Sequence, residues 1–147
     1  MLKKIIIPLL LSSYTLLAYD VGDTLSKDIT SKLSMKKDTV YAVNFFASWC
    51  KSCKHELPLI ADAYNNGLTH IIAINADKDN QKAKDFVKKL NLPFPVIYDT
   101  EQTLISEFKP IGFPSLYYIK NAKVLKVLTG AVSHIDKQLT KDMKELK

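Results

Sequence analysis

The chain has 147 residues and a formal net charge of +6, from 21 basic and 15 acidic side chains. This length fits one ordinary domain, and 47% hydrophobic with 24% charged residues is typical of a globular protein rather than a disordered one. Two cysteines are too few for a disulfide scaffold or a four-cysteine zinc site. Every basic residue is lysine, whereas recognition of phosphates and bases favours arginine, so we expect no nucleic-acid partner.

The start of the chain has the pattern of a secretory signal peptide. Two lysines precede an apolar stretch, Ile5 to Leu17, which ends at the small residue Ala18. The stretch is shorter than the roughly 20 apolar residues of a membrane-spanning helix. The predicted domains are therefore a cleavable signal peptide, 1–18, and an exported domain, 19–147, in the periplasm. A retained membrane anchor is the alternative.

Strands and helices alternate along the predicted domain. The polar segment Tyr19–Asp38 predicts little regular structure. Runs rich in β-branched and aromatic residues predict five strands, at Val40–Phe46, His70–Asn75, Val96–Tyr98, Ser115–Ile119 and Val124–Thr129. Helical spacing of apolar residues predicts four helices, with faces that begin at Leu57, Ala83, Leu104 and Ile135. Ser133 and Asp136 have the spacing of a capping box at the start of the last helix.

The connections between these strands predict the architecture. Crossover helices join the first three strands, which favours parallel pairing. The short polar link Lys120–Lys123 favours an antiparallel hairpin between the last two strands. The sequence thus predicts an α/β fold with a mixed central β-sheet and helices on both faces.

Both cysteines lie where the first strand gives way to a helix. Cys50 and Cys53 are three residues apart at the start of that helix, close enough to form a disulfide. Unpaired N–H groups and the helix dipole favour a thiolate at Cys50, the form that attacks disulfides. Cys53, one turn further in, is placed to resolve a mixed disulfide formed by Cys50. The pair therefore predicts thiol–disulfide exchange.

Two other interpretations of the cysteine pair are less favoured. A zinc site needs further ligands, but there is no second cysteine pair, and His70 and His134 lack ligand spacing. A structural disulfide would close a loop so short that it stabilises the fold little. Because sulfur alone carries the exchange chemistry, we expect no metal and no bound cofactor.

The segment Asn44–Pro58, NFFASWCKSCKHELP, resembles the active-site segment of thioredoxin-fold proteins. More narrowly, it is similar to the exported TlpA-like thiol–disulfide oxidoreductases, which include reductants acting in cytochrome c maturation. The resemblance covers about residues 40–147 and extends to the Tyr98-Asp99 pair and the loop Gly112–Ser115. It implies a thioredoxin-like fold.

The resemblance also implies a substrate-docking surface. The loop before Ser115 carries a cis-proline in relatives and faces the two sulfurs. This implies a cis bond before Pro114 and contact of Phe113 and Pro114 with the substrate chain, with Trp49 shaping the same surface. An ordinary trans turn is the alternative.

The proton relay is the point at which this chain departs from thioredoxins. Thioredoxins carry a buried carboxylate at the position of Asn44, and an asparagine cannot titrate. Glu56, three residues after Cys53, is a candidate substitute. A solvated surface role for Glu56 is the alternative.

These observations predict a periplasmic, monomeric thiol–disulfide oxidoreductase that acts as a reductant of disulfide-containing proteins. A membrane-bound thiol–disulfide electron donor would keep its cysteines reduced. Apocytochrome c is a substrate implied by the resemblance alone. Two alternatives remain open: a generic disulfide oxidant or isomerase, and a non-catalytic thioredoxin-like binding module.

Overall fold

The structure is a computed structural model that describes residues 18–147. The predicted signal peptide lies outside the described residues, apart from Ala18. Every helix within 18–147 falls short of the length and hydropathy needed to cross a bilayer.

Helices and strands alternate around one five-stranded sheet. The helices in the described part of the chain are α1 (Lys27–Lys32), α2 (Lys51–Asn65), α3 (Asn80–Lys89), α4 (Thr103–Phe108) and α5 (Ile135–Glu145). The strands are β1 (Tyr41–Phe46), β2 (Ile71–Asn75), β3 (Val96–Tyr98), β4 (Ser115–Lys120) and β5 (Lys123–Thr129). Their order in the sheet is β3-β2-β1-β4-β5. The parallel pairs are β1 with β2 and β2 with β3, whereas β4 is antiparallel to both β1 and β5. The predicted mixed sheet and terminal hairpin are confirmed.

Helices cover both faces of the sheet. Alternate side chains of β1 enter two separate cores, so that all six residues of the strand are buried. Phe46 packs with apolar residues of α2, α3 and α5 on one face, whereas Phe45 packs with residues of α1 and α4 on the other. This double burial accounts for the nearly continuous apolar run of β1. The chain leaves β1 at the centre of the sheet and enters the segment that carries the cysteines.

The prediction of little regular structure before the first strand is wrong for α1. The hydroxyl of Ser26 accepts a hydrogen bond from the N–H of Ile29 at 3.3 Å and caps this short helix. Ile29 and Leu33 are buried in the core on that face of the sheet. Two well-spaced apolar anchors and a cap therefore suffice to order a largely polar segment.

The predicted capping box of the last helix is also wrong. Helix α5 begins at Ile135, after His134 in a left-handed conformation (φ 57°), and no side chain caps it. Ser133 is therefore one position too early to serve as the cap. The N–H groups of Lys137 and Gln138 both donate to the carbonyl of His134. Ile135 is fully buried, so core packing rather than a polar cap sets the start of α5.

Candidate active site

Cys50 and Cys53 form a disulfide at the start of α2. Their Cα atoms are 5.3 Å apart, and Cys50 is the N-cap residue of the helix. The N–H of Cys53 donates to the Cys50 sulfur at 3.2 Å, and the Ser52 hydroxyl lies 3.5 Å from the same sulfur. Because first-turn N–H groups stabilise negative charge, this geometry favours a thiolate on Cys50 in the reduced state.

The two sulfurs differ in access. Cys50 is 6% exposed, whereas Cys53 is 0% exposed and packs in the core beneath α2. Both residues are buried, and Cys50 is the more exposed of the two. The burial difference expected from the sequence is therefore present.

Asp77 anchors the loop that leads into Cys50. Its buried carboxylate accepts hydrogen bonds from the N–H of Ser48 at 2.9 Å and the hydroxyl of Ser48 at 2.8 Å. It also accepts one from the side-chain amide of Asn75 at 2.8 Å, while the Asp77 N–H donates back to Asn75 at 3.0 Å. The end of β2 thereby holds the loop before Cys50. The sequence reasoning missed Asp77 and Ser48, because no local spacing links residues 29 positions apart.

Two aromatic side chains meet beside the disulfide. Trp49 is 67% exposed, and its ring packs edge to face on Phe113 with centroids 5.4 Å apart. The peptide bond between Phe113 and Pro114 is cis, and Pro114 is buried. The hydroxyl of Ser115 donates to the Gly112 carbonyl at 2.6 Å within the same loop. The structure thus brings together all three residues expected to form the docking surface.

Glu56 is a buried group rather than a solvated one. It is 5% exposed, and its carboxylate accepts a hydrogen bond from the N–H of Val132 at 3.0 Å. Burial raises the pKa of Glu56, and the bond from Val132 opposes this effect only in part. Glu56 also lines a groove of about 290 Å³ with Ser52 and His134. Glu56 therefore lies between the core beneath α2 and the solvent.

The raised pKa of Glu56 predicts a pH-dependent stability. Because the folded-state pKa lies above the unfolded one, the ionised carboxylate destabilises the fold. Stability is lost as the pH rises from the unfolded value, about 4.3, through the folded pKa. Glu56→Gln retains a carbonyl acceptor for Val132, so we expect it to be more stable than the wild type at pH 7. The difference in the free energy of unfolding between this variant and the wild type should become smaller at low pH.

Urea unfolding between pH 3 and pH 8 measures this effect, and the exposed Glu101→Gln is the control. Parallel stability curves for Glu56→Gln and the wild type would contradict it.

Asn44 is buried on the same sheet face as Cys53. Within residues 18–147 neither its amide nitrogen nor its amide oxygen has a hydrogen-bond partner in the protein. A carboxamide does not titrate, so Asn44 cannot take up a proton from Cys53. In the described part of the chain, no group of three or more His, Cys, Asp or Glu side chains is arranged to hold a metal ion.

Fold and site together define a thioredoxin-like domain with a cysteine pair at the start of the helix that follows its central strand. Residues 18–128 match the AhpC/TSA family, and the chain belongs to that family.

Two curated relatives match a large part of the chain. The thiol-disulfide oxidoreductase ResA of Bacillus subtilis is 30% identical over 115 residues, which cover 76% of this chain and 63% of that protein. ResA of Bacillus thuringiensis is 34% identical over 93 residues, which cover 60% and 53% of the two chains. The chain thus spans between about half and two thirds of the length of these relatives.

Solved structures support the fold. A Chlorobium tepidum structure matches with a TM-score of 0.70 at 22% identity, covering 87% of this chain and 98% of that one. StoA of Bacillus subtilis matches with a TM-score of 0.63 at 25% identity, covering 71% and 84%.

Proposed function

We propose that this protein is an exported thiol–disulfide oxidoreductase that reduces disulfides in partner proteins. The observation that carries the proposal is the Cys50–Cys53 disulfide, with the Cys50 sulfur accepting an N–H from the first turn of α2. Its ResA relatives are named as thiol-disulfide oxidoreductases.

The exchange uses both sulfurs in turn. The Cys50 thiolate attacks one sulfur of the partner disulfide, forming a mixed disulfide and releasing the other partner sulfur as a thiolate. Cys53 then loses its proton and attacks the Cys50 sulfur. This step re-forms the Cys50–Cys53 disulfide and releases the second partner sulfur, so two electrons pass to the partner. A membrane-bound thiol–disulfide donor returns two electrons to the protein.

Glu56 is the proposed acceptor for the Cys53 proton. Its burial and raised pKa make it a better base than an exposed glutamate, and its position on the groove offers a route to solvent. The bond from Val132 holds the carboxylate in place. Glu56 thus takes the role that a non-titrating Asn44 does not supply.

Trp49, Phe113 and Pro114 are the proposed substrate-binding residues. The exposed Trp49 ring and its contact with Phe113 provide an apolar surface next to Cys50. We propose apocytochrome c as a substrate on the family resemblance. Cleavage of residues 1–18, periplasmic location and a monomeric state complete the proposal.

The reduction potential tests the direction of electron flow. Equilibration in dithiothreitol or glutathione buffers should give a potential of about −270 mV, as in a thioredoxin-type reductant. A value of about −120 mV would instead assign the protein to the oxidants. Alkylation of the free thiols followed by mass spectrometry measures the reduced fraction.

A further inference from the structure

A second groove lies between the N-terminal segment of the described chain and the β4–β5 hairpin. Its volume is about 680 Å³. One wall is the segment from Ala18 to Asp23, and another is the exposed Ile111. Tyr117, Val127 and Thr129 of the β4–β5 hairpin line the remainder. None of these residues has a role in the exchange mechanism.

The groove lies beside β5, which is an edge strand of the sheet among the described residues. Strand β5 is the last strand of the sheet. The N–H of Gly130 donates to the Pro114 carbonyl. Hydrogen-bonded and non-hydrogen-bonded residue pairs alternate along an antiparallel pair of strands. The backbone N–H and C=O groups of Thr129 and Val127 therefore point away from β4. Such an edge is a template for pairing with another extended chain.

The chain's own N-terminal segment covers only the beginning of this edge. Gly22 donates its N–H to the Val124 carbonyl at 2.8 Å, and the Val124 N–H donates to the Asp23 carbonyl at 2.9 Å. Beyond Val124 the segment turns away, and Tyr19 donates instead to the carbonyl of Phe108 at the end of α4. Within residues 18–147, no other segment hydrogen-bonds to the edge from Val127 to Thr129.

This edge is close to the docking surface. Thr129 pairs with Ser115, the residue after Pro114, across one strand-to-strand spacing of about 4.8 Å. A chain that leaves the disulfide over Phe113 and Pro114 would reach the β5 edge next. The β5 edge thus lies one strand away from the chain that carries Phe113 and Pro114.

The groove has a distinct chemistry. Ile111 is 86% exposed, and Val21 is also an exposed apolar side chain on its rim. Asp20 and Asp23 supply the charged groups, each using one carboxylate oxygen in a local turn. None of the described lining residues is a lysine, although the chain has a net charge of +6. The groove therefore combines exposed apolar side chains with two acidic ones on a basic protein.

We propose that this groove binds an extended segment of the disulfide-bearing partner. The segment adds to β5 at Val127–Thr129, places an apolar side chain against Ile111 and Val21, and places a cationic side chain near Asp20 and Asp23. The inference rests on the proposed function and adds a preference for apolar and basic sequence beside the substrate disulfide.

Three disulfide peptides test the preference. They share one cyclic disulfide and differ in the sequence on both sides, which is Leu-Lys, Leu-Glu or Gly-Gly. With the full chain, we expect kcat/KM for the Leu-Lys peptide to exceed that for the Leu-Glu peptide by about fivefold. Asp20→Lys should remove or reverse this ratio. Ile111→Ser should raise KM for both leucine peptides and leave the Gly-Gly peptide unchanged.

The controls separate the possible failures. Asp62→Lys makes the same charge change at an exposed position of α2, and the peptide ratio should persist in it. If the wild type exchanges no peptide at all, the proposed function fails. If it exchanges all three equally and both groove variants behave as the wild type, only the groove proposal is overturned. If the protein forms a concentration-dependent dimer that Ile111→Ser dissociates, the β5 edge binds a second copy of the chain. That result would also overturn the groove proposal.

Discussion

Cys50→Ser should abolish disulfide exchange with insulin or a model peptide, whereas Cys53→Ser should trap the partner on Cys50. A serine hydroxyl is not ionised at neutral pH, so we expect the Cys50 variant to lose at least about a thousandfold in rate. Cys53→Ser retains the attacking thiolate but has no sulfur to resolve the adduct. Non-reducing gels and mass spectrometry of the covalent product measure the difference.

A matched control keeps the helix start intact. Ser52→Ala removes the hydroxyl near the Cys50 sulfur while leaving both cysteines, and we expect it to remain active. Exchange by Cys50→Ser at the wild-type rate would contradict the oxidoreductase proposal and favour a non-catalytic binding module.

Asp77→Ala should lower both the stability and the exchange rate. The substitution leaves two donors of Ser48 and one of Asn75 without their acceptor, which we expect to cost about 3 kcal/mol in the free energy of unfolding. The loop that carries Trp49 and Cys50 would lose its link to β2. Asp77→Asn keeps one acceptor oxygen and should restore part of both properties.

The rate must be compared on folded protein, with a control for lost stability. Asp142 is a second buried carboxylate, which accepts hydrogen bonds from Lys126 at 2.7 Å and Gln138 at 2.8 Å. Burial alone would raise the pKa of Asp142, but these hydrogen bonds outweigh burial and lower it. We expect Asp142→Asn to lose stability without a change in kcat/KM or in the pKa of the Cys50 thiol. If Asp77→Ala likewise leaves kcat/KM and the pKa of the Cys50 thiol unchanged, Asp77 has a structural role only.

The parts of the fold that could be predicted from the sequence depend on local patterns. The predicted bounds of β3 agree with the structure, and those of β1 and β2 agree within one residue. A short apolar run between polar residues fits a buried strand and is too short for a typical helix. The cysteine pair could be found for the same reason, since both residues belong to one helical turn. Helix α1 was missed because its apolar positions are few.

The supports of the site depend on contacts between distant parts of the chain. Glu56 and Val132 are 76 residues apart, so no spacing rule could show that the carboxylate is buried rather than solvated. The same holds for Ser48 and Asp77, which meet only because β1 and β2 are parallel neighbours. Sequence patterns identify the reacting atoms, whereas the fold determines what holds them in place.

The complete burial of Cys53 has a consequence for how long a partner stays attached. A sulfur with no exposed surface is reached only from within the protein, so the second step is unimolecular and its timing is set by the helix and not by the concentration of any partner. Partners whose released thiols have similar pKa values would then have similar dwell times, even where their rates of capture differ greatly. Selectivity among them would reside in capture alone.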